Sequence, residues 1–185
     1  EIDAYRYSKI ANEAIKSKQF RENCKPTEET ILKELMDDIT NIIDKIGYDE
    51  LIISLNNKLS NILNFSSHLS RILQPSTFKQ GNVEFNIKTL NDCPIINIPS
   101  ERMFTEYEFK TSGHGEGFVT TKDSRVINWI ITAKNAPIAV SKTDSIRLFS
   151  PEKNQQKNAY KLDYRKHHDL WVLPSKLDSI FVNIK

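Results

Sequence analysis

From Arg125 to Lys185 the chain is written in strand-forming residues. It reads RVINWIITAKNAPIAVSKTDSIRLF, then a polar connector SPEKNQQKNAY, then KLDYRKHHDLWVLPSKLDSIFVNIK. β-Branched and aromatic side chains suit a pleated, half-buried surface. Strands cannot stand alone, because their edges must be paired or protected and an apolar face must be covered. A chain ending this way has to build a sheet, and the residues before it must supply helices and partner strands. None of these runs has the spacing of a catalytic motif, which moves the question from catalysis to assembly.

Thr27 to Ile46 supplies the clearest helix. Ile31, Leu32, Leu35, Met36, Ile39, Ile42, Ile43 and Ile46 form one apolar stripe. Thr27 is the expected N-cap, Glu28 and Glu29 favour the positive end of the helix dipole, and Gly47 is the expected stop. Lys33, Glu34, Asp37, Asp38, Asn41 and Asp44 read as the opposite, solvated face. A shorter helix is predicted over residues 3–17, from Ala4, Tyr7, Ile10, Ala11, Ala14 and Ile15.

Between the long helix and the C-terminal strands, ELIISL reads as a short buried strand, and Asn56-Asn57 opens a second helix. Leu69 to Leu73 is a further helical turn closed before Pro75. Val83, Phe85 and Ile87 alternate as a strand does. Pro94 to Ile98 is another strand, with Asn91-Asp92 as the turn between them. Met103 to Phe109 reads as an edge strand. Strands follow at Phe118, Val126–Ala133, Ile138–Ser141, Ser145–Phe149, Tyr160–Val172 and Leu177–Ile184, with Pro151–Asn158 as a solvated connector. The pattern is α+β.

The chain has 185 residues, room for one large domain or two small ones. Its 26 basic and 24 acidic side chains leave a net charge of +2. A nucleic-acid reader is expected to show a clustered basic face, and this balance gives none. No apolar run approaches the roughly 20 residues of a membrane span. EIDAYRYSKIANEA does not read as a secretory signal. Because the first residue is Glu1 and not Met, a fragment or processed product is expected. Cys24 and Cys93 are far apart in sequence and read as two free thiols in a reducing compartment.

Two clusters invite a chemical reading. Ser112 to Gly117, SGHGEG, holds three of the five glycines. It lacks the Lys-Ser/Thr of a phosphate loop, and no helix follows it. His114 and Glu116 are two ligand types on one loop, too few for a metal site. A flexible surface loop is the simpler reading. The second cluster is His167, His168 and Asp169. In a strand His167 and Asp169 share one face and His168 takes the other, so the three cannot converge on one ion. A small hydrolase built on them would need a nucleophile context that the sequence does not supply. Lys161, Arg165 and Lys166, interleaved with Asp163 and Asp169, fit a salt-bridge network between subunits better than a nucleic-acid patch. Trp129 and Trp171 read as core or interface anchors.

Taken together, these segments resemble the major capsid proteins of tailed bacteriophages and prophages, which share the Hong Kong 97-type fold. EIDAYRYSKIA looks like the end of the segment leading from the family's spine helix. EETILKELMDDITNIIDKIG with ELIISLNNKLSNIL is similar to the helix, strand and helix of its axial domain. FNIKTLNDCPIINIPSERM looks like its turn, apolar strand and proline segment. NWIITAKNAPIAVSKTDSIRLFSP and YKLDYRKHHDLWVLPSKLDSIFVNIK resemble the C-terminal capsid strands of Gram-positive phage examples.

The resemblance implies the end of a peripheral-domain segment at 1–26, an axial α/β domain at 27–143, and returning peripheral strands at 144–185. The family's N-terminal arm, extended loop and most of its spine helix have no counterpart before Glu1. The resemblance also implies a structural head protein that is not an enzyme, with no cofactor and no metal. It would assemble with itself through hexamers and pentamers into an icosahedral shell around DNA bound without sequence specificity, in the virion, after assembly in the host cytoplasm. It allows for scaffolding, portal and decoration proteins as partners, and for no membrane. An encapsulin-like shell protein is the alternative on the same fold. Inter-subunit or ring-axis contacts are expected at Gly113, His114, Gly115, Glu116, Gly117, Arg165, His167 and Asp169. On this reading the terminal strands pack back beside the N-terminal segment, and the 27–100 unit stands as an insertion.

Overall fold

The long helix forms as α2 (Ile31–Ile46), and its apolar stripe is buried at Ile31, Leu35, Ile39 and Ile42. The structure, a computed structural model, describes residues 2–47, 50–80, 83–111, 117–153 and 159–185. Helix α2 starts three residues later than the sequence suggests, and Thr30, not Thr27, is its N-cap. The Thr27 carbonyl instead accepts the N–H groups of Thr30 and Ile31, at 3.2 and 2.9 Å, so Glu28 and Glu29 lie in a turn leading into the helix. Gly47 ends it at φ +76°, where its N–H donates to Ile43 at 2.8 Å. That left-handed conformation suits glycine because a Cβ would be strained there.

The remaining elements, in chain order, begin with α1 (Ile2–Lys16) and β1 (Phe20–Arg21) before α2. After it come β2 (Leu51–Asn56), α3 (Asn57–Phe65), α4 (Leu69–Ile72), β3 (Gln74–Gln80), β4 (Val83–Leu90) and β5 (Cys93–Ile98). Then follow β6 (Tyr107–Lys110), β7 (Gly117–Thr120), β8 (Ile127–Ala133), β9 (Pro137–Phe149), β10 (Lys161–Val172) and β11 (Ile180–Ile184). The chain is mixed α+β and divides into two units. One is Glu1–Pro137 with Val172–Lys185, and the other is Ile138–Trp171.

The first unit is organised by a seven-stranded mixed sheet in the order β1-β11-β8-β2-β5-β4-β3. The C-terminal strand β11 does return beside the N-terminal segment, pairing parallel with β1 at Phe20↔Val182 and Arg21↔Asn183. The 27–100 segment, in contrast, does not stand apart. Strand β2 pairs with β8 from Leu51↔Ala133 to Leu55↔Trp129, so both halves of the chain share one sheet. The physical reason is burial. Ile53, Leu55, Trp129 and Ile131 are fully covered, and a separate β2 unit would expose them.

Strands β8 and β11 are buried at nearly every position, as strands covered on both faces are. Helices α1 and α2 both pack on β11. Asn183 and Trp129 point at α2, so their neighbours Val182 and Ile130 face the other way, and they too are buried. Asn56 ends β2 and caps α3: its side-chain oxygen accepts the Lys58 N–H at 3.1 Å, and its amide donates to the Ile127 carbonyl at 3.0 Å. The β4–β5 turn closes on Asn91 and Asp92 at φ +50° and +63°. Positive φ at both central residues is what a tight hairpin turn with right-handed twist needs.

The second unit is a two-stranded ribbon of β9 and β10. The sequence suggests two strands, at Ile138–Ser141 and Ser145–Phe149, and the structure joins them into one. Lys142, Thr143 and Asp144 include neither Gly nor Pro, and the extended backbone runs through them without a break.

Candidate assembly surfaces

In the ribbon, alternation decides which side chains share a face. Ile146 and Leu148 lie with Asp144 on one face of β9. Leu162 and Tyr164 lie with Lys166 on one face of β10. Lys166 Nζ is 3.5 Å from Asp144 Oδ2, which brings those two faces to the same side of the ribbon. Ile146 is 67% exposed, Leu148 66%, Leu162 66% and Tyr164 53%. Single exposed apolar residues are ordinary, but these four form an exposed apolar patch on one ribbon face, which makes it a candidate surface.

Of the residues expected at inter-subunit contacts, Arg165, His167 and Asp169 all lie on β10, on the face opposite the apolar one. Arg165 Nε is 3.3 Å from Asp163 Oδ2, an exposed pair of the kind worth little in stability. Asp169 is engaged locally: Oδ1 accepts the Leu170 N–H, and Oδ2 accepts the Trp171 indole N–H, both at 2.8 Å. Trp171 is itself exposed, so it is an interface candidate and not a core anchor. His167 is exposed. His168 is half-buried, and its Nδ1 has no hydrogen-bond partner among the described residues. The strand keeps His168 on the other face from His167 and Asp169, as its alternation requires.

Gly113, His114, Gly115 and Glu116 lie outside the described residues, and so does Ser112. Gly117 opens β7 at φ +107°, and β6 pairs with β7 from Tyr107↔Thr120 to Lys110↔Gly117. Phe109 and Phe118 are directly opposed, ring centroids 5.6 Å apart and tilted by 63°. Tyr107 joins them at 6.1 Å from Phe118, and Phe104 at 6.2 Å from Tyr107. Edge-to-face aromatic pairs of this kind hold a short hairpin together. Burial pushes the Tyr107 hydroxyl up to about 12, so it stays a neutral donor to the Glu101 carbonyl, 2.9 Å away. Phe109 is exposed and gives the β6–β7 ladder an apolar side chain in solvent.

Asp38 is a correction. The sequence places it on a solvated helix face with Asp37, yet it is 0% exposed. It follows Ile31 by seven residues, two helical turns, so its side chain falls on the buried stripe. Its Oδ2 accepts the Trp129 indole N–H at 3.0 Å and the Asn183 amide at 3.2 Å. Its Oδ1 faces the Arg21 guanidinium at 2.9 Å. Asn128 extends the network, donating to Asn183 Oδ1 at 2.8 Å and to the Cys24 carbonyl at 3.2 Å. Burial raises the carboxyl above its ordinary value, and its three partners draw it part of the way back. With Oδ2 held by two fixed donors and Oδ1 in an ion pair with Arg21, this carboxylate is a tether between α2, β1, β8 and β11. The helical phase alone could have revealed it.

Both cysteines are free. Burial pushes both thiols up, so each is held as a thiol and not as the reactive thiolate. Among the described residues no group of three or more His, Cys, Asp or Glu is placed to hold a metal ion, and no helix is long and apolar enough to cross a membrane. No protein-family model matches the chain, and no curated protein matches it.

Proposed function

We propose that this chain is a shell-building subunit, the major capsid protein of a tailed bacteriophage or prophage on a Hong Kong 97-type fold, with its 27–100 segment built into the shared sheet instead of standing as an insertion. The observation that carries the reading is the β9–β10 ribbon. It has two strands, no second layer among the residues of its own unit, and an exposed apolar face. An isolated two-stranded ribbon is marginal in water, so its face and edges call for a partner. A unit with a fixed sheet core, joined to such a ribbon, has the properties of a building part.

In a closed symmetric assembly one contact is repeated many times, so each can be weak. Hexamers and pentamers of this chain would enclose DNA without reading its sequence, and scaffolding, portal and decoration proteins would be further partners. The β6–β7 hairpin, with its exposed Phe109 and glycine-opened β7, is the second contact surface on this reading. Light scattering and electron microscopy of the purified chain test it. Rings or shells are expected. A strict monomer at high concentration would overturn the assignment.

A further inference from the structure

One face of β9 reads Ile138, Val140, Lys142, Asp144, Ile146, Leu148. The order is apolar, apolar, basic, acidic, apolar, apolar. Reversed and with charges exchanged, it is the same pattern. Among the described residues β9 is paired only with β10, so its other edge is free. We propose that β9 pairs antiparallel with β9 of a second copy, about a two-fold axis at Thr143. This deepens the assembly reading above and rests on it.

In that register Lys142 stands opposite Asp144 of the second copy, and Asp144 opposite its Lys142. Val140 meets Ile146, and Ile138 meets Leu148, each pair occurring twice because a two-fold contact is isologous. Opposite charges and β-branched or aliphatic pairs directly across a ladder are the stabilising ones. On the other face Ser141 meets Ser145 and Ala139 meets Arg147, so no like charges are opposed. The registers two residues away fail this test, because one sets Lys142 against itself and the other sets Asp144 against itself. The charge pattern thus selects one alignment. The product is a four-stranded sheet, β10-β9-β9-β10, which passes the size at which a ribbon becomes independently stable.

Cysteine scanning with charge reversal tests this on the whole chain, in a Cys24→Ser background. Directly opposed residues have Cα atoms about 4.5–5.5 Å apart, within disulfide reach. Thr143→Cys is therefore expected to cross-link two copies under mild oxidation. Ser141→Cys would sit about 14 Å from its own counterpart, four residues along the ladder, and is expected not to. Asp144→Lys should abolish the Thr143→Cys cross-link by opposing like charges. Adding Lys142→Asp should restore it with the signs exchanged. Equal cross-linking at 141 and 143, or a cross-link indifferent to Asp144→Lys, would overturn this pairing. If rings or shells still form in that case, the assembly reading stands. A chain that is monomeric under all conditions overturns both.

Discussion

The seven-stranded sheet and the β9–β10 ribbon are built from the same residue types, yet they use them in opposite ways. In β8 and β11 isoleucine and valine are buried on both faces, and tryptophan ends fully covered. In β9 and β10 isoleucine, leucine, tyrosine and tryptophan stand more than half exposed at Ile146, Leu148, Leu162, Tyr164 and Trp171. Strand propensity is therefore no guide to where stability resides. One region satisfies its own apolar surface, and the other holds it out.

The largest effect expected from this contrast is in the sheet unit. Leu35→Ala should cost about 2–5 kcal/mol in chemical denaturation, because a fully buried leucine leaves a cavity. A loss below about 1 kcal/mol would mean that α2 is not a core element. In amide exchange, β8 should open only with global unfolding, and the ribbon well before it.

The next effect is a pH dependence. Folding raises the Asp38 carboxyl above 3.8, so the fold favours the protonated form. Its contribution to stability is then full below pH 3.8 and is lost as pH rises through the raised value. Asp38→Asn removes that titration. The stability of Asp38→Asn relative to the natural chain should climb as pH rises above 3.8 and then level off. A difference independent of pH would show that the carboxylate is not perturbed.

A smaller change is expected at Gly117, where φ is +107°. Gly117→Ala should destabilise by about 1 kcal/mol through backbone strain, and on the capsid reading should disturb ring formation in electron microscopy. Unchanged stability and unchanged rings would detach the β6–β7 hairpin from assembly. Smallest in stability is Leu148→Ser with Leu162→Ser, expected to stay within about 0.5 kcal/mol because both side chains already meet water. The same pair should weaken self-association by light scattering. Strong destabilisation without a change in association would mean that the ribbon face is covered within the chain.

Much of the first unit was legible because its signals are local. Apolar spacing fixed α1 and α2, and Asn91-Asp92 marked a turn whose positive φ values follow from residue type. Strand β3 was missed because Gln74, Pro75, Ser76 and Thr77 carry no apolar alternation; it exists by pairing with β4, from Gln74↔Thr89 to Gln80↔Val83. Asp38 was misplaced because its neighbour Asp37 is exposed, and residue type outweighed helical phase. At the candidate surfaces, sequence drew attention to Arg165, His167 and Asp169. The face that carries Ile146, Leu148, Leu162 and Tyr164 is the other one, and it becomes visible only when Asp144 and Lys166 meet.

The buried carboxylate of Asp38 has one more consequence, for alignment. In an antiparallel ladder a slip of one residue turns every side chain to the opposite face. If β11 slipped so against β8, Asn183 would leave α2, and Val182 or Ile184 would fall beside a carboxylate that neither can donate to. A two-residue slip would carry Asn183 about 7 Å along the strand, out of reach of Asp38 and of its partner Asn128. Apolar contacts among isoleucines and valines are interchangeable from one position to the next, but these hydrogen bonds are not. Asp38 therefore acts as an index mark, and the C-terminal strand can read its place in the sheet from that one side chain.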